Sequence, residues 1–493
     1  MGSGAVQHPS VKKVAIIGGG ISGLSAAVLL EEARRRGAPI EYALFEATPR
    51  LGGVLRTERV EDCVVEAGPD SFLTEKAWAL DFCRKLGLDD QLIGSNDSER
   101  KTYIAVRGKL VAMPDGLQFM VPTRILPILF TPLFSLRTKL RMAREFLFRP
   151  RPAPAEGEDE SAAQLVERHF GREMVERLAD PLLAGIYGAS ADSLSAAAAL
   201  SRFVEMERSY GSLTRSMLQA RKRSTQDSSA PAPPLFTSLR DGMQQIADAA
   251  AAQLHPAAAR TSNPVRALQR EGDGWRVIAR DCATEIFGGV ILATPAPAAG
   301  ALLEDVDTRL ASELRQIPYS SSITLTLGYE RRAFTSAPPG FGFLVPRSEQ
   351  RRILACTFVH TKFPHRTPPD KALVRCFLGG SQDEGALELS DTELVDIIRR
   401  ELSQLAHIKA EPRFVRIYRW RRAMAQYAPG HRRRIEKIER LRSEHAALEL
   451  AGNAYHGIGV PDCIASGQLA ALNSLASLGL AKAELRGAWR SVR

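Results

Sequence analysis

The chain has 493 residues, 44% of them apolar, which is enough for two or three domains whose cores need no disulfide or metal. Its 66 Lys and Arg exceed its 56 Asp and Glu. The net charge of +10 permits an anionic partner such as nucleic acid, a lipid surface or an acidic small molecule without selecting one. Six scattered cysteines predict reduced thiols and no metal site, and neither a secretory signal nor a membrane span is visible. These features predict a cytoplasmic protein.

The glycine-rich stretch at residues 14–27 is the strongest local signal. Four apolar residues predict a strand buried on both faces, and Gly18, Gly20 and Gly23 then open a helix of small residues with the Gly-x-Gly-x-x-Gly spacing. Such a turn lets the backbone approach a pyrophosphate at a helix N-terminus. A second apolar run ends at Glu46, close to the ~20-residue separation at which an acidic side chain binds a ribose hydroxyl. Together they favour dinucleotide binding over a turn made for packing alone.

Two loops follow that can also approach a cofactor. Residues 50–53 place an arginine, available for a phosphate, before two adjacent glycines, and the alternative is an ordinary turn with a solvated arginine. Residues 66–72 are rich in turn formers and come back beside the first strand. A helix at 76–88 and a hairpin at 103–113 come next.

Residues 117–134 are strongly apolar but contain three prolines, which exclude a regular membrane-spanning helix. Basic residues crowd the region that follows: Arg137, Lys139, Arg141, Arg144, Arg149 and Arg151. Three interpretations remain open: a lobe that dips into a membrane surface, a lid over a hydrophobic substrate, or an ordinary core segment of a helical domain.

Helices and short strands alternate through the rest of the chain. Helices are predicted at 165–183, 194–219, 239–254 and 391–405, strands at 275–279 and 286–292, and antiparallel strands at 319–329, 342–345, 353–359 and 373–378. A strand at 447–451, a loop at 452–462 and a small-residue helix at 464–478 end the chain with a second unit that can face a ring or a phosphate.

Motifs at both ends resemble the amine-oxidase-like flavoproteins, and within them the oxygen-dependent porphyrinogen oxidases of haem synthesis. Three of the motifs are widespread among FAD enzymes, at 18–24, 45–47 and 50–53, and four are narrower, at 68–73, 181–187, 420–427 and 457–463. Ala425 departs from the proline that is common in the family, which leaves the shape of that turn open.

The resemblance implies an α/β and α+β architecture with FAD as the cofactor. A discontinuous Rossmann-like FAD-binding domain would comprise residues 12–100, 236–298 and 440–484, and a sheet-based substrate-binding domain residues 101–113 and 299–439. Residues 114–223 would form a helical insert that associates with a membrane or acts as a lid.

The same resemblance assigns the cofactor contacts. The glycine turn would hold the pyrophosphate, Glu46 the ribose, Val265 the adenine edge and residues 460–462 the flavin end, with Trp420 near the ring. The full set is Gly18, Gly20, Ile21, Ser22, Gly23, Glu46, Ala47, Arg50, Gly52, Gly53, Gly68, Pro69, Asp70, Ser71, Val265, Trp420, Gly459, Val460, Pro461 and Asp462.

By this resemblance the protein is an oxidoreductase acting on CH–CH groups with O2 as acceptor. It would remove six electrons from coproporphyrinogen III, which is favoured, or from protoporphyrinogen IX, giving the porphyrin and H2O2 with no catalytic side chain required beyond the flavin. Thr102 stands where eukaryotic members have an arginine, so the cations for the substrate's propionates are candidates only: Lys76, Arg100, Lys101 and Lys362.

Two other functions fit the same fold. One is a flavin amine oxidase or carotenoid desaturase, and the other is a non-catalytic binder of prenylated GTPases, against which the complete set of cofactor glycines argues. An anionic membrane surface on the inner face of the cell membrane is a further predicted partner, nucleic acid is not, and the sequence does not determine the oligomeric state.

Overall fold

The computed structural model describes residues 11–147, 159–227, 233–280, 284–334 and 336–480, and its mixture of helices and several sheets confirms the predicted fold class. Arg149, Arg151, Cys282 and residues 481–484 of the predicted FAD-binding domain lie outside the described residues. The other five cysteines are free and buried.

A five-stranded parallel sheet carries the first glycine turn. Its strand order is Ala259–Arg260, Ile40–Phe45, Lys12–Ile17, Gly289–Leu292 and Leu448–Leu450, and every neighbouring pair is parallel. Because the strands are parallel, their carboxyl ends meet at one edge, which is where ligands bind in open α/β sheets. The sheet collects strands from three distant parts of the chain, and the domain boundaries remain a prediction.

The strand Lys12–Ile17 separates two hydrophobic cores. Val14 and Ile16 belong to one core and Ala15 and Ile17 to the other, because successive side chains of a strand point to opposite faces. The first core is covered by the helices Ile21–Arg35, Ala77–Lys85, Gln244–Gln253 and Val460–Ser477. The second is covered by a three-stranded sheet, Val265–Glu271, Gly274–Ala279 and Thr284–Phe287, and by the helices Ala296–Leu302, Thr308–Arg315 and His431–Ser443.

The first and last helices of this layer pack closely through small residues. A Cβ atom on Gly467 would lie 2.0 Å from the carbonyl oxygen of Ser22, so only glycine fits there. The Ser25 hydroxyl donates to the carbonyl oxygen of Ile464 at 3.0 Å. The last helix begins at Val460 and not at the predicted residue 464, because Pro461 is accommodated in a first helical turn, where its missing N–H is not needed.

A seven-stranded sheet forms the second large layer. Its order is Phe414–Ala425, Tyr319–Glu330, Lys371–Gly379, Ala355–Phe358, Gly342–Leu344, Thr102–Val106 and Lys109–Ala112. The predicted antiparallel pairing is found except between Gly342–Leu344 and Thr102–Val106, which run parallel and are joined through a long connection. The helix Asp391–Ala406 covers one face, and the Ser390 hydroxyl caps its N-terminus by accepting from the N–H of Glu393 at 3.3 Å.

A helical insert has its own core, to which Ile104 of the seven-stranded sheet also belongs. Its helices are Ile125–Phe130, Leu136–Leu147, Ala162–Phe170, Arg172–Met174, Asp180–Tyr187, Ala196–Ala199, Ser201–Tyr210 and Leu213–Asp227, with a wider π turn at Val175–Ala179. The buried imidazole of His169 joins three of them, with Glu145 Oε1 at 3.0 Å from Nδ1 and Glu207 Oε1 at 3.1 Å from Nε2. Despite its burial, these carboxylates raise the pKa of His169.

The remaining elements are short. They are the strands Thr57–Val60, Cys63–Glu66, Phe72–Leu73, Leu92–Gly94, Leu117–Gln118, Val121–Pro122 and Phe236–Leu239, and the helix Val359–Lys362. Several predicted elements differ in detail. The helix predicted at 239–254 begins only at Gln244, and residue 239 belongs to the strand Phe236–Leu239. The helices predicted at 165–183 and 194–219 are each divided into shorter helices, and the strand predicted at 286–292 is two strands parted by a bend at Gly288.

Gly467→Ala tests the close contact between the first and last helices. The added methyl group meets backbone and must push the helices apart, so we expect a loss of about 1–3 kcal/mol in the free energy of unfolding. Thermal and denaturant unfolding measure it. Gly385→Ala is the control because its Cβ has space. Equal stability of the two variants would contradict the described packing.

Candidate cofactor and active site

The three glycines of the first turn are required for different reasons. Gly18 has φ = +109°, and a Cβ on Gly23 would lie 1.9 Å from the carbonyl oxygen of Gly18, so both positions are dictated by backbone geometry and packing. Gly20 has an ordinary extended conformation, and a Cβ there would meet nothing within 4 Å. No side chain caps the helix that begins at Ile21. The open space in front of this helix N-terminus is what a pyrophosphate requires.

Glu46 lies beside this turn, at the carboxyl end of the neighbouring strand. Its Oε2 accepts a hydrogen bond from the N–H of Gly19 at 2.7 Å, and its Oε1 accepts from the N–H and hydroxyl of Thr48 at 2.8 Å. The N–H of Asn263 donates to the carbonyl oxygen of Glu46 at 2.9 Å, which brings the segment before Val265 alongside. The predicted ribose and adenine residues therefore lie together.

Residues 50–53 form the next part of the site. The N–H of Gly52 donates to the carbonyl oxygen of Gly19 at 2.8 Å, and a Cβ on Gly53 would lie 3.2 Å from Cα of Gly20. The guanidinium of Arg50 does not point away from the loop, because it donates to the carbonyl oxygens of Leu51 and Leu55 at 2.8 Å and of Gly53. Arg50 thus shapes this loop in the described structure.

The loop at residues 66–71 continues the row of close backbone contacts. A Cβ on Gly68 would lie 1.9 Å from the carbonyl oxygen of Val54, and the indole N–H of Trp420 donates to the carbonyl oxygen of Ala67 at 2.9 Å. The ammonium of Lys362 lies 3.1 Å from Asp70 Oδ2. Burial favours the neutral acid, but the positive charges of Lys362 and Arg375 hold the pKa of Asp70 well below its usual range.

The last helix brings its N-terminus to the same region. Asp462 Oδ2 accepts from the N–H of Gly459 at 3.2 Å, and the Lys76 ammonium donates to the two oxygens of Asp462 at 2.6 and 2.7 Å. The hydroxyl of Tyr427 accepts from the N–H of Gly457 at 2.8 Å and donates to the carbonyl oxygen of Asn453 at 2.9 Å. Tyr427 therefore fixes the loop that precedes this helix.

The other predicted cofactor residues accompany these contacts. Ile21 and Ser22 are buried in the first helical turn, Ala47 is exposed next to Glu46, Pro69 and Ser71 are partly buried in the 66–71 loop, and Val460 and Pro461 are buried in the first turn of the last helix. Every predicted cofactor residue thus belongs to one of the converging loops or to a strand beside them. The contact of these residues with a cofactor stays a prediction.

The four predicted substrate cations do not converge. Lys76 is paired with Asp462 and Lys362 with Asp70, whereas Arg100 and Lys101 are exposed, with Arg100 at 3.7 Å from Asp97. Sequence reasoning missed the buried Arg375, whose guanidinium donates to the carbonyl oxygen of Gly68. The sequence signal for Arg375 was its position within an otherwise apolar strand, since a buried arginine requires a buried partner.

The model of the family described as flavin-containing amine oxidoreductases matches residues 21–473, so the chain belongs to this family. FAD is accordingly its cofactor, and it is an oxidoreductase. The open turn at Gly20 and the converging loops fit such a dinucleotide. Among the described residues no group of three or more His, Cys, Asp or Glu side chains could hold a metal ion.

More particular similarities lie within this family. The chain is 33% identical to coproporphyrinogen III oxidase of Bacillus subtilis (strain 168), covering 95% of this chain and 98% of that protein. It is 30% identical to coproporphyrinogen III oxidase of Staphylococcus aureus (strain NCTC 8325 / PS 47), covering 95% and 100%. A crystal structure of a provisionally assigned protoporphyrinogen oxidase from Exiguobacterium sp. 255-15 is 28% identical, with a TM-score of 0.84 over 96% of this chain and 100% of that chain.

Gly20→Val tests the pyrophosphate site without disturbing the folded chain. We expect the apoprotein to unfold at the wild-type temperature, because the side chain enters open space, and FAD to bind at least tenfold more weakly, about 1.4 kcal/mol. Calorimetry of the apoprotein and FAD titration measure the two effects. Gly18→Val is the contrasting variant, since it destabilises the apoprotein through its positive φ. Undiminished FAD affinity of Gly20→Val would exclude the turn as the phosphate site.

Proposed function

We propose that the protein is an FAD-dependent porphyrinogen oxidase of haem biosynthesis. The observation that carries the proposal is similarity to coproporphyrinogen III oxidases over nearly the full length of both chains, combined with an open cofactor turn. The reaction converts one porphyrinogen and three O2 to one porphyrin and three H2O2, so six electrons and six hydrogen atoms leave the macrocycle. When bound, FAD would supply two-electron redox chemistry, with O2 as the final acceptor.

The protein's own contribution is to bind, orient and enclose. The Gly20 turn holds the pyrophosphate and Glu46 the ribose, while Trp420, the 66–71 loop and the N-terminus of the last helix hold the flavin end. The porphyrinogen's bridging methylene groups are activated by their own pyrroles, so no side chain beyond the flavin has to act as a catalytic acid, base or nucleophile. Under this proposal the helical insert and the seven-stranded sheet would be the walls around the flat macrocycle.

Coproporphyrinogen III is the proposed substrate. The relatives from Bacillus subtilis and Staphylococcus aureus are named coproporphyrinogen III oxidase, whereas the mitochondrial protoporphyrinogen oxidase of Nicotiana tabacum is 27% identical. Four propionates on coproporphyrinogen also suit a basic protein better than the two of protoporphyrinogen.

Porphyrin fluorescence with both porphyrinogens, compared side by side, tests reaction and substrate together. We expect both a faster rise with coproporphyrinogen III and three H2O2 per porphyrin formed. Anaerobic mixing should bleach the bound flavin. Flavin that is bleached by an amine and not by either porphyrinogen would contradict the proposal, and faster turnover of protoporphyrinogen IX would reverse the substrate choice.

We also propose that the insert binds an anionic membrane surface from the cytoplasmic side. In the helix Leu136–Leu147 the buried positions are Thr138, Met142 and Glu145, which leaves a face of exposed leucines. Together with the preceding helix, this face exposes Leu126, Leu129, Phe130, Leu136, Leu140, Phe146 and Leu147, of which Phe130 is 79% exposed. Exposed Arg124, Arg137, Arg141 and Arg144 accompany them. No helix among the described residues has the length and apolar character to cross a membrane.

A surface of large apolar side chains mixed with arginines matches the acyl and headgroup layers of an anionic bilayer. The competing interpretation is a lid that closes over the substrate. Clustered exposed apolar side chains mark interaction sites, so this face is interpreted as a contact surface.

The triple variant Leu126→Ser, Phe130→Ser and Leu140→Ser tests the membrane proposal. We expect the wild-type protein to pellet with phosphatidylglycerol vesicles, weakly at high salt, and the variant to stay in the supernatant. Ile286→Ser, at an exposed apolar residue on the three-stranded sheet, is the control. If the wild type fails to pellet while the triple variant raises KM for the porphyrinogen, the lid interpretation is correct.

A further inference from the structure

The loop at residues 66–71 is held from outside by a buried set of charged and polar groups. Arg366 donates to Glu66 Oε1 at 2.5 Å and to the Ser238 hydroxyl at 2.6 Å, and that hydroxyl donates to the carbonyl oxygen of Asp70 at 2.6 Å. Arg375 donates to the carbonyl oxygen of Gly68. The 66–71 loop of the proposed site is therefore fixed by Arg375 of the seven-stranded sheet, by Arg366 in a connection between two of its strands, and by Ser238 of the short strand Phe236–Leu239.

Lys362 makes the central contact of this set. Its ammonium lies 3.2 and 3.1 Å from the two carboxylate oxygens of Asp70 and 3.1 Å from the Ser71 hydroxyl. An ammonium has three N–H donors, and these three acceptors account for all of them. The side chain is 10% exposed and its ammonium lies 4.4 Å from the ring centroid of Phe236. Lys362 is thus committed to the loop and is not available to a substrate propionate.

The cluster carries more positive than negative charge. Among the described residues, Lys362, Arg366 and Arg375 face two carboxylates, Glu66 and Asp70, which leaves a formal excess of one positive charge in a largely buried region. Within the described residues, the Nε atoms of Arg366 and Arg375 are buried without a hydrogen-bond partner. Charge of this sign favours the reduced, more negative state of a flavin bound nearby.

We propose that Lys362 is a positioning residue for FAD: by holding Asp70 and Ser71 together with Arg375, it sets the 66–71 loop against the flavin end of the cofactor. The inference rests on the proposed cofactor site. It predicts that Lys362 governs the affinity for FAD and the reduction potential of bound FAD, and that its effect is transmitted through the loop. The sequence made Lys362 one of four candidate cations for the substrate's propionates, and under the proposal it acts on the cofactor loop instead.

The test compares Lys362→Met, Lys362→Arg and the control Lys371→Met. Lys371 lies on the adjoining strand and pairs with Glu61, away from the 66–71 loop. For Lys362→Met we expect the FAD dissociation constant to rise tenfold or more. The equilibrium between oxidised and reduced bound flavin should shift tenfold toward the oxidised form, which lowers the reduction potential by about 30 mV for a two-electron couple. Lys362→Arg should restore both quantities to within about twofold, about 0.4 kcal/mol, and Lys371→Met should change neither.

A purely structural role gives a different result. Lys362→Met would then unfold at a lower temperature while FAD affinity and potential stayed at wild-type values, which overturns the proposal. If Lys362→Met alone does not fold, Lys362→Met combined with Asp70→Asn avoids an unpaired buried charge. Weakened FAD binding by this double variant supports the proposal, and wild-type affinity overturns it. A wild-type protein that binds no FAD would instead refute the proposed function.

Discussion

The helix Ile21–Arg35 can reach the strand before it only because no side chain stands between Gly18 and Gly23. That close approach points the unpaired N–H groups of the first helical turn at the carboxyl edge of the parallel sheet. The remaining loops of the site are built onto this turn, since Gly52 bonds to Gly19 and Gly467 of the last helix packs on Ser22. One steric requirement therefore brings the helix Ile21–Arg35, the 50–53 loop and the helix Val460–Ser477 together at the proposed dinucleotide site.

A second constraint joins the cofactor layer to the seven-stranded sheet. Buried charges are costly unless they are paired, so once Asp70 and Glu66 lie between the layers, cations of the opposite layer have to meet them. The arginines and Lys362 satisfy this requirement and also restrict the loop at residues 66–71. Trp420, from the edge strand of the same sheet, adds a hydrogen bond to that loop. The same contacts consequently determine both the packing of the two layers and the geometry of the site.

Local sequence patterns predicted much of this protein. The glycine turn, Glu46 at the end of the second strand, the hairpin near Gly108 and the helix Asp391–Ala406 were all predicted, because each depends on the period or turn chemistry of a few consecutive residues. The strand Phe414–Ala425 was missed, since its many arginines hide the alternation of an edge strand. The prolines of residues 117–134 predicted no regular helix of spanning length, and the described structure has two short strands and the helix Ile125–Phe130 there.

What the sequence by itself determined is the cofactor-binding framework, because contacts between backbone and phosphate need glycines at short, fixed spacings. What only the tertiary structure decided is the use of the charged side chains. Lys362 and Lys76 look alike in the sequence. Lys362 is paired with an aspartate 292 residues away in the chain, and Lys76 with an aspartate 386 residues away. Long-range pairs of this kind have no local pattern, because the partner of a buried charge is chosen by which surfaces the fold brings together.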